Sequence, residues 1–157
     1  MLYSRGRRPS PAAPREVLRM TTATTTAATQ LTGRLLLSAI FILAGINKIG
    51  AFAGTQGYME GMGVPGALLP LVIALEIGGG LAILLGWQTR ISAFLLAGFC
   101  LASALIFHAD LGDPMQSILF MKNLAIAGGL LTLLASGAGA WSVDARIHSG
   151  SGVLHHA

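Results

Sequence analysis

Gly66-Ala-Leu-Leu-Pro-Leu-Val-Ile-Ala-Leu-Glu76-Ile-Gly-Gly-Gly-Leu-Ala-Ile-Leu-Leu-Gly-Trp87 is an apolar run interrupted by a single charge. About 20 such residues cross the hydrocarbon core of a bilayer as a helix. Helix is also the one open-ended element that satisfies its own backbone hydrogen bonds in lipid. Three further runs of this kind flank it, Leu31 to Ile49, Ile91 to His108 and Met115 to Ala135. The expected fold is therefore an all-α membrane protein, a four-transmembrane-helix bundle with short loops and a disordered N-terminal tail. Residues 1–30 form that cytoplasmic tail, 31–140 the transmembrane domain and 141–157 a short C-terminal tail.

Composition agrees. Of 157 residues, 54% are hydrophobic and only 10% charged, and the mean hydropathy is +0.71. A soluble domain carries about 25% charged residues, so this chain has too little polar surface to cover a globule in water. The pI near 10.0 raises the question of nucleic acid. Yet Arg5, Arg7, Arg8, Arg15 and Arg19 all precede the first apolar run and have no aromatic residues interleaved among them. That placement suits a flank held against anionic lipid, not a strand-binding surface. The partner is the bilayer; no nucleic acid is expected.

The stretch Met20-Thr-Thr-Ala-Thr-Thr-Thr-Ala-Ala-Thr is low-complexity and lacks helical patterning, which predicts disorder. Met20 is an alternative start to Met1. An Arg-rich leader would also suit a transit peptide, but Glu16 interrupts it and a plain bacterial tail is the better reading. The first apolar run lacks a small-residue cleavage site and reads as an uncleaved span.

The connections carry turn chemistry. Residues 50–65 hold Gly50, Gly54, Gly57, Gly61, Gly63 and Pro65 and read as a loop with a short interfacial turn around Phe52 and Tyr58. Gln88-Thr89-Arg90 is a tight turn. Asp113 and Pro114 read as the N-cap and first residue of a helix. Basic residues at the N-terminal tail, Arg34, Arg90 and Arg146 alternate with loops bearing Glu60, Asp110 and Asp113, which puts both termini in the cytoplasm. Ala74, Gly78, Ala82 and Gly86, with Ala125 and Gly129, form small-residue stripes that predict close helix packing. Without a strand or lysine beside it, Gly78-Gly79-Gly80 is packing glycine and not a phosphate loop.

The polar residues within the spans are Arg34, Asn47, Lys48, Glu76, His108, Lys122 and Asn123. Glu76 lies about 15 Å into its span at 1.5 Å per residue, and Lys122 about 11 Å. All but Arg34 gather in the outer half. Intramembrane ionisable groups are costly and tend to face the bundle interior, where they mark sites. The simplest constellation is a Glu76–Lys122 ion pair with hydrogen bonds from Asn123, Asn47 and His108. Architecture alone is the competing explanation. The same pair can hold four helices in register, Lys48 can snorkel to headgroups, Arg34 can be a structural anchor, and His108 can simply bond near Asp110. As a ligand site, the group suits an amphipathic molecule with an apolar ring and proton-exchanging oxygens, a quinone or phenol. A proton-coupled exporter using Glu76 is the alternative. Cys100 stands alone and reads as a small buried hydrophobe. There is no CxxC or His/Cys cluster, so no metal centre is expected.

Arg34-Leu-Leu-Leu-Ser-Ala-Ile-Phe-Ile-Leu-Ala-Gly-Ile-Asn-Lys48, Glu76-Ile-Gly-Gly-Gly-Leu-Ala-Ile-Leu-Leu-Gly86 and Phe120-Met-Lys-Asn-Leu-Ala-Ile-Ala-Gly-Gly129, with His108 between the last two, resemble the polar and glycine positions of the DoxX family. The resemblance covers roughly residues 31–140. It implies a four-helix bundle in the bacterial inner membrane, related to the DoxD-type subunit of thiosulfate:quinone oxidoreductase and to proteins of quinone or catechol detoxification. It further implies a redox partner protein, with quinone as the candidate cofactor; a purely structural membrane partner is the bland alternative, and the sequence leaves a homo-oligomer open. No cofactor or nucleophile motif is present, so the expected role is at most a non-catalytic or accessory subunit of an oxidoreductase.

Overall fold

The computed structural model describes residues 12–151. In order, the elements are α1 (Ala12–Gly50), α2 (Phe52–Gly61), a 3-10 turn at Gly66–Leu68, α3 (Leu69–Leu85), α4 (Thr89–Phe107), α5 (Pro114–Ser136) and α6 (Val143–Ser151). Among the described residues there is no strand, and four helices are long and apolar enough to cross a membrane. They correspond to the four apolar runs. α1 lies along α3, α4 lies along α5, and α3 against α4 joins the two pairs. Phe41, Ile83, Leu96, Ala97, Cys100, Ala127 and Leu130 meet in the core, drawn from all four long helices. Large apolar side chains such as Leu36, Leu43, Leu71, Phe94, Leu105 and Ile118 stand exposed around the bundle. In lipid that outer surface needs no cover.

Each helix end has a local reason. Asp113 accepts from the amides of Met115 and Gln116, and Pro114 opens α5, as its sequence predicts. α3 stops at Gly86, whose φ of 70° is left-handed, and Trp87 N–H donates back to Ala82 O at 2.9 Å; this pattern needs glycine. α2 ends similarly at Gly63, φ 77°. The residue 50–65 segment is thus more regular than a loop with one turn, with a ten-residue helix at its centre.

The N-terminal segment differs from expectation. Residues 12–30 are helical and continuous with the first span, not disordered; residues 1–11 lie outside the described residues. The physical reason is the threonine run. Thr21, Thr22, Thr24, Thr25, Thr26, Thr29 and Thr32 each donate a hydroxyl to the carbonyl four residues earlier. Their polar groups are met within the helix, and propagation from a formed span avoids the nucleation cost. Residues 16–26 are exposed all round.

The small-residue stripe is also revised. Ala74, Gly78 and Ala125 are exposed. Close approach is made instead at Gly45, where a methyl would come within 2.6 Å of Ile77 Cγ1, and at Gly80, where it would lie 2.9 Å from Ile42 Cγ1 and 3.3 Å from Ser38 O. α1 packs on the face of α3 bearing Glu76 and Gly80, about 160° from Gly78 when residues are set 100° apart.

The C-terminal tail folds back as α6. Ser142 Oγ accepts from Ala145 N at 3.1 Å, which starts the helix. Asp144 then accepts from Gln88 N at 2.9 Å and Thr89 N at 3.0 Å, capping α4 from across the chain. Its amide donates to Gly86 O at 2.8 Å. Arg34, 1% exposed, donates to Trp141 O beside this contact. A side chain on Gly86 would run into the Arg34 guanidinium. Arg34 is therefore more than an end anchor: it joins α1 to the segment before α6. Trp87 and Trp141 stay half exposed at this end, as interfacial residues do.

Candidate functional site

The other end of the bundle, where α2 and the 108–114 loop lie, contains a cavity of about 400 Å³. Ligand cavities run from about 300 to 1,000 Å³. Its walls are mainly apolar: Phe41, Val72, Phe99, Ile106, Phe107 and Ile126 among others. The polar groups that reach it are Lys48 from α1, Thr55 and Tyr58 from α2, Glu76 from α3, Ser103 and His108 at the end of α4, and Lys122 and Asn123 from α5.

Glu76 is 3% exposed and forms an ion pair with Lys48, Nζ to Oε1 at 2.8 Å. Its other oxygen, Oε2, is buried with no hydrogen-bond partner. The expected Glu76–Lys122 pair is not formed. The reason is helix order: α1 packs along α3, whereas α5 packs along α4. Gly45, one turn before Lys48, brings α1 close enough that its missing side chain would touch Glu76 Cβ at 3.4 Å. From there the lysine stem reaches down to the carboxylate. Lys122 lines the cavity but makes no hydrogen bond or ion pair among the described residues.

His108 Nδ1 lies 2.8 Å from Gln116 Oε1, not against Asp110, whose Oδ1 accepts from Gly112 N at 3.2 Å. With an amide oxygen as partner, Nδ1 carries the proton and Nε2 is the remaining site of the ring. Asn123 Nδ2 donates to Leu119 O at 3.0 Å, so its Oδ1 stays available. Asn47 is exposed and does not line the cavity. It lies off the α1 face that carries Ile40, Ala44 and Lys48.

Of the expected group, then, the structure brings together Lys48, Glu76, His108, Lys122 and Asn123 and leaves out Asn47. Sequence reasoning missed the contribution of α2. Tyr58 stacks on Phe107 with ring centroids 5.5 Å apart, and the adjoining Met59 is buried. An aromatic in a glycine-rich loop was the available signal. Cys100, 2% exposed, borders the cavity and is free; it packs as the small hydrophobe expected.

The DoxX family model matches residues 29–109. Inner membrane protein YqjF of Escherichia coli (strain K12) is 54% identical over 114 residues, covering 73% of this chain and 88% of that protein. Inner membrane protein YphA of the same organism is 38% identical over 123 residues, covering 74% and 88%. No solved structure matches the chain.

Proposed function

The chain belongs to the DoxX family of integral membrane proteins, and from that premise we propose that its cavity holds an amphipathic ring, a quinone or phenol, on behalf of a redox or detoxification partner in the bacterial inner membrane. The cavity carries the reading. Its apolar walls suit a ring that partitions in lipid. Five polar or ionisable side chains, Lys48, Glu76, His108, Lys122 and Asn123, converge on it from four helices or helix ends, where oxygens of a ring can bond or exchange protons. The names of the relatives support the inner membrane as location. Arg19, Arg34, Arg90 and Arg146 fall on the side of α6 and support cytoplasmic termini, with the cavity toward the outer leaflet. A membrane subunit working with a redox partner protein, itself able to form a homo-oligomer, fits a chain whose described residues are almost all bundle. The exporter alternative is less well supported, because Glu76, the carboxylate it needs, is committed to Lys48.

The test is saturable binding of tetramethyl-1,4-benzoquinone or its hydroquinone to the protein in lipid nanodiscs, measured by calorimetry against empty nanodiscs. At least one form of the ring should bind at one site per chain. Ser103→Trp, which fills the cavity, should abolish it. Binding no greater than partition into empty discs, or binding indifferent to Ser103→Trp, refutes the proposal. Co-purification in mild detergent identifies the partner.

A further inference from the structure

α1 and α5 touch where a methyl on Gly129 would lie 3.4 Å from Leu37 Cδ2, and scarcely elsewhere. Outward from that contact, each helix continues the same stripe at helical spacing: Leu37, Phe41, Ala44 and Lys48 on α1, and Gly129, Ile126 and Lys122 on α5. Phe41, Ala44, Lys48, Ile126 and Lys122 all line the cavity. The two helices therefore part at Leu37 and Gly129, and the cavity occupies the fork between them. Ile40, beside the α1 stripe, lines the cavity and is still 37% exposed, which makes it part of the mouth. At 1.5 Å per residue from Pro114, Gly129 lies about 22 Å and Lys122 about 12 Å along α5. At that depth the fork opens sideways onto acyl chains. On the loop side the cavity is roofed by α2, with Met59 buried and Tyr58 stacked on Phe107.

Charge decides what enters. Two lysines and one acid line the cavity. Lys48 and Glu76 cancel each other in their ion pair at 2.8 Å, which leaves Lys122 as a surplus positive charge. Lys122 makes no hydrogen bond or ion pair among the described residues. Its ammonium is within electrostatic reach of the Cys100 thiol, a buried group on the cavity wall. A lysine at membrane depth is costly without a counter-charge. We infer that the cavity takes an anionic amphiphile from the bilayer through the α1–α5 fork, its head paired with Lys122 and an alkyl chain lying in the fork. A long-chain carboxylate and an anionic phospholipid share that chemistry. The head uses the space proposed for a ring, so the two ligands exclude one another. The probes below carry no ring, so the two readings fail separately.

Hexadecanoic acid with a mid-chain diazirine tests both halves. The full-length protein is held in phosphatidylcholine nanodiscs at mildly alkaline pH, where a carboxyl is ionised and lysine is charged. Photoadducts mapped by peptide mass spectrometry should concentrate at Ile40, Ala44 and Ile126 and spare Leu71 and Phe94, which are exposed away from the cavity. Unlabelled hexadecanoate should displace the probe. Hexadecanol, with the same chain and no charge, should need roughly ten- to hundredfold more, the worth of a hydrogen bond to a charged group. Lys122→Gln should erase that difference and Lys122→Arg should keep it. Phosphatidylglycerol added to the discs separates the sources: displacement at a lower mole fraction than hexadecanoate assigns the head to a phospholipid, at a higher one to a free acid, and either upholds an anionic head. Adducts spread evenly over the lipid-facing residues, or centred on Leu68 and Ile106 at the α3–α4 side, overturn the fork as the way in. Hexadecanol equal to hexadecanoate, or a preference that Lys122→Gln leaves intact, overturns the anionic head. The wild-type map and competition need no variant and stand even where a substitution fails to fold.

Discussion

Asp144→Ala tests whether α6 is part of the fold. Asp144 accepts from Gln88 N at 2.9 Å and Thr89 N at 3.0 Å, the first amides of α4. Gln88 contributes no side-chain cap of its own and sits at φ 48°, a left-handed conformation that a non-glycine residue holds only under constraint. Removing an N-cap side chain costs about 0.5–2 kcal/mol. Removing a negative charge from a helix N-terminus costs about 0.3–1 kcal/mol more. Arg34, buried and within electrostatic reach of Asp144, loses its opposite charge. The expected destabilisation is about 2 kcal/mol, read by reversible unfolding in mixed micelles. Asp113→Ala is the control: that residue caps α5 with two similar bonds but is exposed and serves one helix alone, so about 1 kcal/mol is expected. pH supplies a second reading. Burial raises the Asp144 carboxyl, but the amides of Thr89 and Gln88 and the nearby His148 outweigh it and leave the group below its ordinary value. A depressed folded value means the stabilisation is complete above the unfolded carboxylate range, about pH 3.9, and is lost as pH falls below it. Asp144→Asn should remove that acid-side loss. An Asp144→Ala cost no larger than that of Asp113→Ala, or an acid limb identical in Asp144→Asn, refutes the assignment of α6 as a cap.

Lys48→Met should destabilise by about 3–5 kcal/mol, because it leaves Glu76 buried and unpaired, whereas Lys122→Met should stay within about 0.5 kcal/mol, the range of a side chain without a structural partner; equal costs in the same unfolding assay would count against the observed pairing. Lys48→Met/Glu76→Leu should recover most of the single-variant loss, and a double variant as unstable as Lys48→Met would show that the cost lies elsewhere. Gly86→Ala should cost at least about 2 kcal/mol, combining left-handed strain with displacement of the Arg34 guanidinium, while Gly78→Ala, with nothing within 4 Å, should be neutral or stabilising by up to about 1 kcal/mol; a reversed order in thermal unfolding would contradict the packing described.

Much of the site was legible because intramembrane charge is rare. In a chain with one acid inside the spans, Glu76 stands out, and its available partners are Lys48, Lys122 and His108, of which Lys122 is the one the sequence favours. Depth along each helix is readable at a fixed rise per residue, so the gathering of Lys48, Glu76, His108 and Lys122 in one half of the bundle follows. Rotation and neighbour order were not readable. Asn47 and Lys48 adjoin in sequence, yet one is exposed and the other reaches the carboxylate. Gly78 and Gly80 sit on one helix, yet only Gly80 touches α1. The threonine run misled because its hydroxyls bond inside the helix, which composition does not reveal. Ser142 and Asp144 carry a helix-start pattern, but it is faint beside the apolar runs.

By itself, then, the sequence determined the four crossings, the Asp113–Pro114 start of α5 and the concentration of polar groups in one half of the bundle. These follow from hydropathy and helical rise, which act along one chain segment at a time. Only the tertiary structure decided that Lys48 and not Lys122 pairs with Glu76, that α2 closes the cavity with Tyr58, and that Asp144 caps α4. Each depends on which helix lies beside which. In a bundle whose faces are nearly all apolar, that order is set by where glycines such as Gly45 and Gly80 let two backbones approach, and it becomes visible only when the helices are packed together.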